Sequence, residues 1–233
     1  MVDPVFFRLS DVPAQPWKNG GGLTREVVSW PPGAGVDDFL WRISVARIDA
    51  DGPFSRFAGI DRVITLLSGP GVLLRGSFAA DADAAVNAPA DAHALTTPLA
   101  PFAFSGDVDI DCALQGGPSE DFNVMSRRGS VNATVAVVEQ TGDLPADLPA
   151  ITHGLVLAVG SEWEVVAADG ARHMLPSGAG LWWADSSQTL QVRSRTDTPN
   201  SENQIPNAAN AGAGASGRTG LIVVAFDMLA PKR

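Results

Sequence analysis

Apolar residues recur at every second position along much of the chain, the period of a strand with one buried face. In Val108–Leu114 the set Val108, Ile110, Cys112 and Leu114 faces one way, while Asp109 and Asp111 face the other. Trp41–Ile48 repeats the pattern, with Trp41, Ile43 and Val45 on the apolar face. Further segments of this character are Thr24–Trp30, Arg62–Leu67, Gly71–Arg75, Val131–Glu139, Gly154–Val159, Glu162–Ala167, Thr189–Arg193 and Leu221–Met228. Gly and Pro punctuate the gaps between them. Many short strands with turn signals between them predict an all-β sandwich or barrel.

The order of these parts repeats. Asp61–Arg75 is an apolar run, a Gly69-Pro70-Gly71 turn and a second run; His153–Ala167 is an apolar run, Gly160-Ser161 and a second run. Each is followed by a Pro-containing stretch, a turn and another strand, Pro98–Leu114 in one case and Leu175–Arg193 in the other. The arrangement predicts a duplicated β-fold with halves 1–116 and 117–233 that meet near Gln115–Pro118. Ala79–Ala94 reads as an insertion in the first half. Arg195–Arg218 has no apolar period and is rich in Asn, Ala, Gly, Ser and Pro, which predicts a flexible hairpin insertion. It suits a surface loop or a lid.

Composition narrows the function classes. Sixteen Lys and Arg against 26 Asp and Glu give a net charge of −10, which disfavours nucleic acid or an anionic membrane as partner. The scarcity of Lys and Glu beside 24 Gly and 17 Pro leaves little material for long surface helices. No apolar run approaches the roughly 18 residues of a membrane span. The opening residues lack the pattern of a secretory signal, so a cytoplasmic location is expected. The single cysteine, Cys112, falls on the apolar face of its strand and reads as a small hydrophobe.

Metal and nucleophile chemistry find little footing. His93, His153 and His173 are isolated in sequence, and each reads as a surface or strand-edge histidine rather than a ligand. Gly170, Pro176 and Gly178 match the spacing of the second cupin motif, but Leu181 stands where that motif places its metal-binding histidine and Asp185 where it ends in Asn. No bound metal or other cofactor is expected. There is no G-x-S-x-G elbow, and no G-K-[ST] follows the glycines at 20–22.

Three dense polar-aromatic motifs remain. In Pro16–Glu26 three consecutive glycines permit positive φ or close backbone approach, and Thr24 and Glu26 share a face of the strand that follows. The segment is either a ligand-facing turn or a tight bulged turn with a surface Thr/Glu pair. Gly52–Arg62 delivers Arg62 to the start of a strand, where Arg62 and Arg42 could hold a carboxylate in a bidentate fork or pair with Glu26 and Asp61. Asp121–Gly129, expected to open the second half, sets Asp121, Asn123 and Arg127 on one side of an extended chain and Phe122 and Val124 on the other.

These motifs, at Trp17–Glu26, Trp41–Ala46, Gly52–Arg62 and Asp121–Arg128, resemble those of the HutD/Ves family and stand in its order over about residues 3 to 194. The resemblance implies a cupin-like double-stranded β-helix, duplicated as a bicupin in one chain. It also implies a regulator of bacterial histidine degradation that binds a small acidic metabolite such as urocanate or N-formylglutamate; Ves-type members are associated with stress instead. The expected ligand contacts are Arg62 and Arg42 to the carboxylate, Asn19, Thr24 and Glu26 near the glycine turn, and Asn123 as a further amide. Two other readings stay open. One is a metal-independent enzyme with Glu26 as general base; the other is a protein-interaction module that uses Lys18–Gly22 or the 195–218 segment. A homodimer is also an open expectation.

Overall fold

Strand alternation, buried on both sides in the middle of the molecule, builds four antiparallel sheets. The computed structural model describes residues 2–78, 91–143, 152–167, 169–195 and 218–230, with nineteen strands numbered here in chain order. The first sheet runs β5 (Gly52–Pro53), β10 (Asp111–Leu114), β7 (Val72–Arg75), β8 (Ala92–Leu95). The second runs β2 (Ala14–Pro16), β3 (Gly22–Trp30), β4 (Trp41–Ile48), β11 (Ser119–Arg127), β6 (Ile60–Ser68), β9 (Pro101–Ser105). The third runs β1 (Val2–Arg8), β17 (Ala179–Ala184), β14 (His153–Val159), β19 (Gly220–Met228), β12 (Val131–Val138). The fourth runs β13 (Gly142–Asp143), β18 (Leu190–Ser194), β15 (Trp163–Ala167), β16 (Arg172–Leu175).

Shared cores fix the stacking order. Ile48, Ile64, Leu66, Leu74, Phe104 and Cys112 pack between the first and second sheets. Trp41, Ile43, Phe122, Val124, Leu155, Ile222 and Phe226 pack between the second and third. Val156, Trp163, Leu181, Trp183, Val192 and Val223 pack between the third and fourth. The two inner sheets therefore bury both faces. At the central seam Trp41 is fully buried, stacks on Phe226 at 4.4 Å between ring centroids and meets Trp30 on its other side. Truncating such a side chain to Ala costs about 3–5 kcal/mol.

The order β4-β11-β6-β9 in the second sheet parallels β12-β19-β14-β17 in the third, and β5-β10-β7-β8 parallels β13-β18-β15-β16. Two strands cross the expected boundary at 116/117. Ser119–Arg127 does not open the second half: it pairs with β4 and β6 at the centre of the second sheet. Val2–Arg8 pairs with β17 in the third sheet, among strands of the C-terminal half. Polar residues inside β11 hid its character as a buried strand.

Other expectations shift by a few residues. Strand structure in the 108–114 segment begins only at Asp111, because Val108 closes a turn onto the Ser105 carbonyl, yet Val108, Ile110, Cys112 and Leu114 all face the same core. Ala92–Leu95, which overlaps the end of the expected insertion Ala79–Ala94, is a strand paired to β7; residues 79–90 of that insertion and residues 196–217 lie outside the described residues. His153 is buried rather than peripheral. It lies edge-on to Trp30 and Trp41, with Nε2 3.0 Å from Asp185. Leu181, at the cupin-ligand position, is 1% exposed in a hydrophobic core.

Candidate functional site

Strand β4 shows how one sheet supplies both a core and a site. Its odd positions Trp41, Ile43 and Val45 enter the central seam, while Arg42, Ser44 and Ala46 point the other way, into a cavity of about 550 Å³. β11 divides likewise, with Phe122 and Val124 in the seam and Asp121, Asn123 and Met125 in the cavity. Backbone pairing sets three rungs along the cavity floor: Arg42, Met125 and Arg62; then Ser44, Asn123 and Ile64; then Ala46, Asp121 and Leu66, with Thr24 beside Ala46. Residues 15–19 and 53–57 form the rim.

The glycine turn holds part of that rim in place. Gly20 adopts φ 71°, and its amide donates to the Trp17 carbonyl. A Cβ at Gly22 would collide with the Arg47 carbonyl, so this position requires glycine for close strand approach. Asn19 Oδ1 accepts the Gly21 amide at 3.0 Å, and the Trp17 indole donates to Thr24 Oγ1 at 2.8 Å. The turn thus serves the fold and places Asn19, Trp17 and Thr24 along the cavity wall.

Arg62 is the dominant cation. It is 6% exposed, and its guanidinium carbon lies 5.0, 5.4 and 5.6 Å from the ring centroids of Phe104, Phe57 and Phe54. Such aromatic faces stabilise a cation partly stripped of water. Nε donates to Asn123 Oδ1 and Nη1 to the Ser55 carbonyl, both at 3.4 Å, which is long for such bonds. Arg62 forms no salt bridge with a described residue, and most of its five N–H donors stay available. Burial lowers its pKa to about 10, with Asp121 opposing and Arg42 adding to that effect, so it is charged at neutral pH.

Arg42 shares the same rung and is already partnered. Its Nε donates to Glu26 Oε2 at 2.7 Å, and its Nη1 to the sulfur of Met125 at 3.7 Å. Glu26 itself is 41% exposed and does not line the cavity. Glu26 keeps the register and face of Thr24, opposite Ser44 as Thr24 is opposite Ala46; only beyond it does a bulge offset the strand, so that Val28, of the same parity, turns into the central seam. Asp61, the alternative partner for Arg62, instead pairs with Arg128 at 2.6 Å. Arg127, grouped with Asp121 and Asn123 by parity, turns to the carbonyls of Asp37 and Phe39.

Asp121 was singled out by the motif but not as a ligand contact. It is 3% exposed, lines the cavity, and makes neither a hydrogen bond nor an ion pair with any described residue. Burial pushes its carboxyl up to about 7; the Arg62 charge opposes this and Glu120 adds to it. The alternation Asp121-Phe122-Asn123 carries a signal that would have found it, since Asn123 was already assigned to the site. Cys112 is buried outside the cavity lining, its thiol pushed up to about 12 chiefly by burial.

Family comparison agrees with the motifs. The HutD family model matches residues 9–198. The chain belongs to the HutD family. Protein Ves from Citrobacter koseri is 34% identical over 188 residues, covering 80% of this chain and 86% of that one. An uncharacterised 21.2 kDa protein in the hutC 3′ region of Pseudomonas putida is 42% identical over 118 residues, 51% of this chain and 55% of the relative. Among solved structures, HutD from Pseudomonas fluorescens SBW25 superposes with a TM-score of 0.71 at 26% identity, covering 98% of this chain and all of that one. An oxalate decarboxylase structure shares the fold alone, with a TM-score of 0.54 at 9% identity over 96% of this chain and 79% of that one.

The HutD-family chain thus builds its regular structure almost wholly of strands among its described residues. Of the six expected contact residues, Asn19, Thr24, Arg42, Arg62 and Asn123 line one cavity, and Glu26 lies outside it as the partner of Arg42. Among the described residues no three His, Cys, Asp or Glu side chains come together as a metal-binding group. No described helix is long and apolar enough to cross a membrane.

Proposed function

We propose that this HutD-family chain binds a small carboxylate in the N-terminal cavity and acts as a metal-free sensor in histidine degradation, with urocanate or N-formylglutamate as the ligand class. The observation that carries the reading is Arg62, a buried guanidinium that pairs with no carboxylate among the described residues and faces a cavity of small-molecule size. A carboxylate there gains a bidentate, charge-assisted contact in a site largely cleared of water. Asn123, Ser44 and Thr24 supply polar contacts along the floor, and Trp17, Phe54 and Phe57 supply apolar walls. Two inward guanidinium groups suit an anion rather than a cation. The parallel strand orders support reading the chain as a bicupin, with the ligand in its first barrel. The place of the Pseudomonas putida relative in the hutC 3′ region favours histidine metabolism over a stress role.

Thermal unfolding with each acid tests the reading. A ligand at a hundred times its Kd stabilises the folded state by about 2.7 kcal/mol, a shift of several degrees. Urocanate or N-formylglutamate is expected to raise Tm, and Arg62→Met, which keeps the apolar stem against the three phenylalanines, is expected to abolish the rise. No shift with either acid at millimolar concentration refutes the carboxylate-sensor reading.

A further inference from the structure

The floor of the cavity has two chemically opposite ends. Arg42 and Arg62 occupy one rung. Asp121 lies two rungs away, four residues from Met125 along β11, or about 13 Å of extended backbone. Asn123 and Ser44 lie between them. The anionic end is as buried as the cationic end and less satisfied: Arg62 holds two long hydrogen bonds, whereas the Asp121 carboxyl has none. An unpaired buried carboxyl costs stability unless something donates to it. No described residue does so: Asp121 lies between β4 and β6, with its side chain directed into the cavity.

We propose that Asp121 is the second anchor of this site, accepting an N–H hydrogen bond from the end of the ligand opposite its carboxylate. The ligand class narrows accordingly to small monocarboxylates that carry a ring or ammonium N–H at their far end. Charge balance points the same way. Glu26 neutralises Arg42, so Arg62 and Asp121 remain as the cation and the anion of the cavity that form no ion pair with a described residue, each only partly offsetting the other's burial. A dicarboxylate would set its second negative charge against Asp121 or crowd both onto one rung. Within the class proposed above, a heteroaryl acrylate such as urocanate therefore fits better than N-formylglutamate. Thr24, on the Asp121 rung and engaged by the Trp17 indole, helps close that end of the cavity.

This inference rests on the carboxylate-binding reading, and a matched pair of probes separates the two. Urocanate and 3-(2-furyl)acrylate share the acrylate; the furan has a ring oxygen and no N–H. Calorimetric titration of the full chain at pH 7.5 is expected to show urocanate binding at least about ten-fold tighter, the range of a charge-assisted hydrogen bond. Asp121→Leu is expected to bring the two affinities within about three-fold by weakening urocanate alone. Asp121→Asn, which keeps a neutral acceptor, is expected to fall between them. Retained furylacrylate binding in either variant reports an intact cavity. Equal affinities in the unmodified protein, or an undiminished preference in a variant that still binds furylacrylate, overturn the role of Asp121 and leave the carboxylate reading standing. If neither acid binds the unmodified protein at millimolar concentration, both ideas fail.

Discussion

Replacing Asp121 with Asn should make the unliganded protein more stable, and more so at higher pH. The Asp121 carboxyl is held at about 7 against 3.8 in the unfolded chain. Between these values the folded state binds the extra proton, so this residue's contribution to stability falls as pH rises across that window. At about 1.36 kcal/mol for each tenfold change in proton affinity, the penalty reaches roughly 4 kcal/mol at pH 8. Relaxation and water entering the cavity reduce it, and a gain of about 2–4 kcal/mol is expected for Asp121→Asn. At pH 4 the carboxyl is largely protonated in the fold, and the gain should shrink below about 1 kcal/mol. Besides burial, the charges that set this behaviour are Arg62 from the neighbouring strand and Glu120 on its own strand; both remain in the variant. Urea unfolding followed by tryptophan fluorescence at pH 4 and pH 8, on both proteins, measures the difference. An Asn variant no more stable than the parent at pH 8, or equally stabilised at both pH values, refutes the account of a desolvated, unpartnered carboxyl.

Two further outcomes follow from the geometry. Gly22→Ala should destabilise the chain by roughly 2 kcal/mol or more in the same urea assay, because the added Cβ collides with the Arg47 carbonyl and forces β3 from β4. Asp107 should titrate near 2 by carboxylate NMR, held down first by the Arg128 hydrogen bond, then by the Gly59 amide and Ser105; its contribution is present above the ordinary carboxylate range and is lost as pH falls through about 2. Arg128→Gln should return that midpoint toward 3.8.

What the sequence disclosed depended on what each strand faces. Segments with one apolar face, such as Thr189–Arg193, found as Leu190–Ser194 with alternate positions buried and exposed, were legible because alternation is the direct image of a half-buried strand. Ser119–Arg127 was harder to place: its two faces are a hydrophobic seam and a polar cavity, so Asp121–Gly129 read as an extended segment opening the second half. Val2–Arg8 went unread as a strand because its partner, Ala179–Ala184, lies at the other end of the chain. Arg42, Arg62, Asn19, Thr24 and Asn123 could be gathered from motifs; parity also set Glu26 rightly on the face of Thr24, but it could not show that Glu26 pairs with Arg42 outside the cavity lining. His153 gave no hint of burial, since the tryptophans around it come from strands far away in sequence.

The two-sided strands also constrain how this site can change over evolutionary time. Along β4 and β11 the cavity-facing residues and the central seam are interleaved in one reading frame of alternate positions. A residue gained or lost within either strand would push Asp121 and Asn123 into hydrocarbon and turn Phe122 and Val124 toward the cavity. New specificities are therefore reached by exchanging side chains at every second position, while length variation is confined to the rim segments and to places such as the Glu26/Val28 bulge, where the frame is already offset.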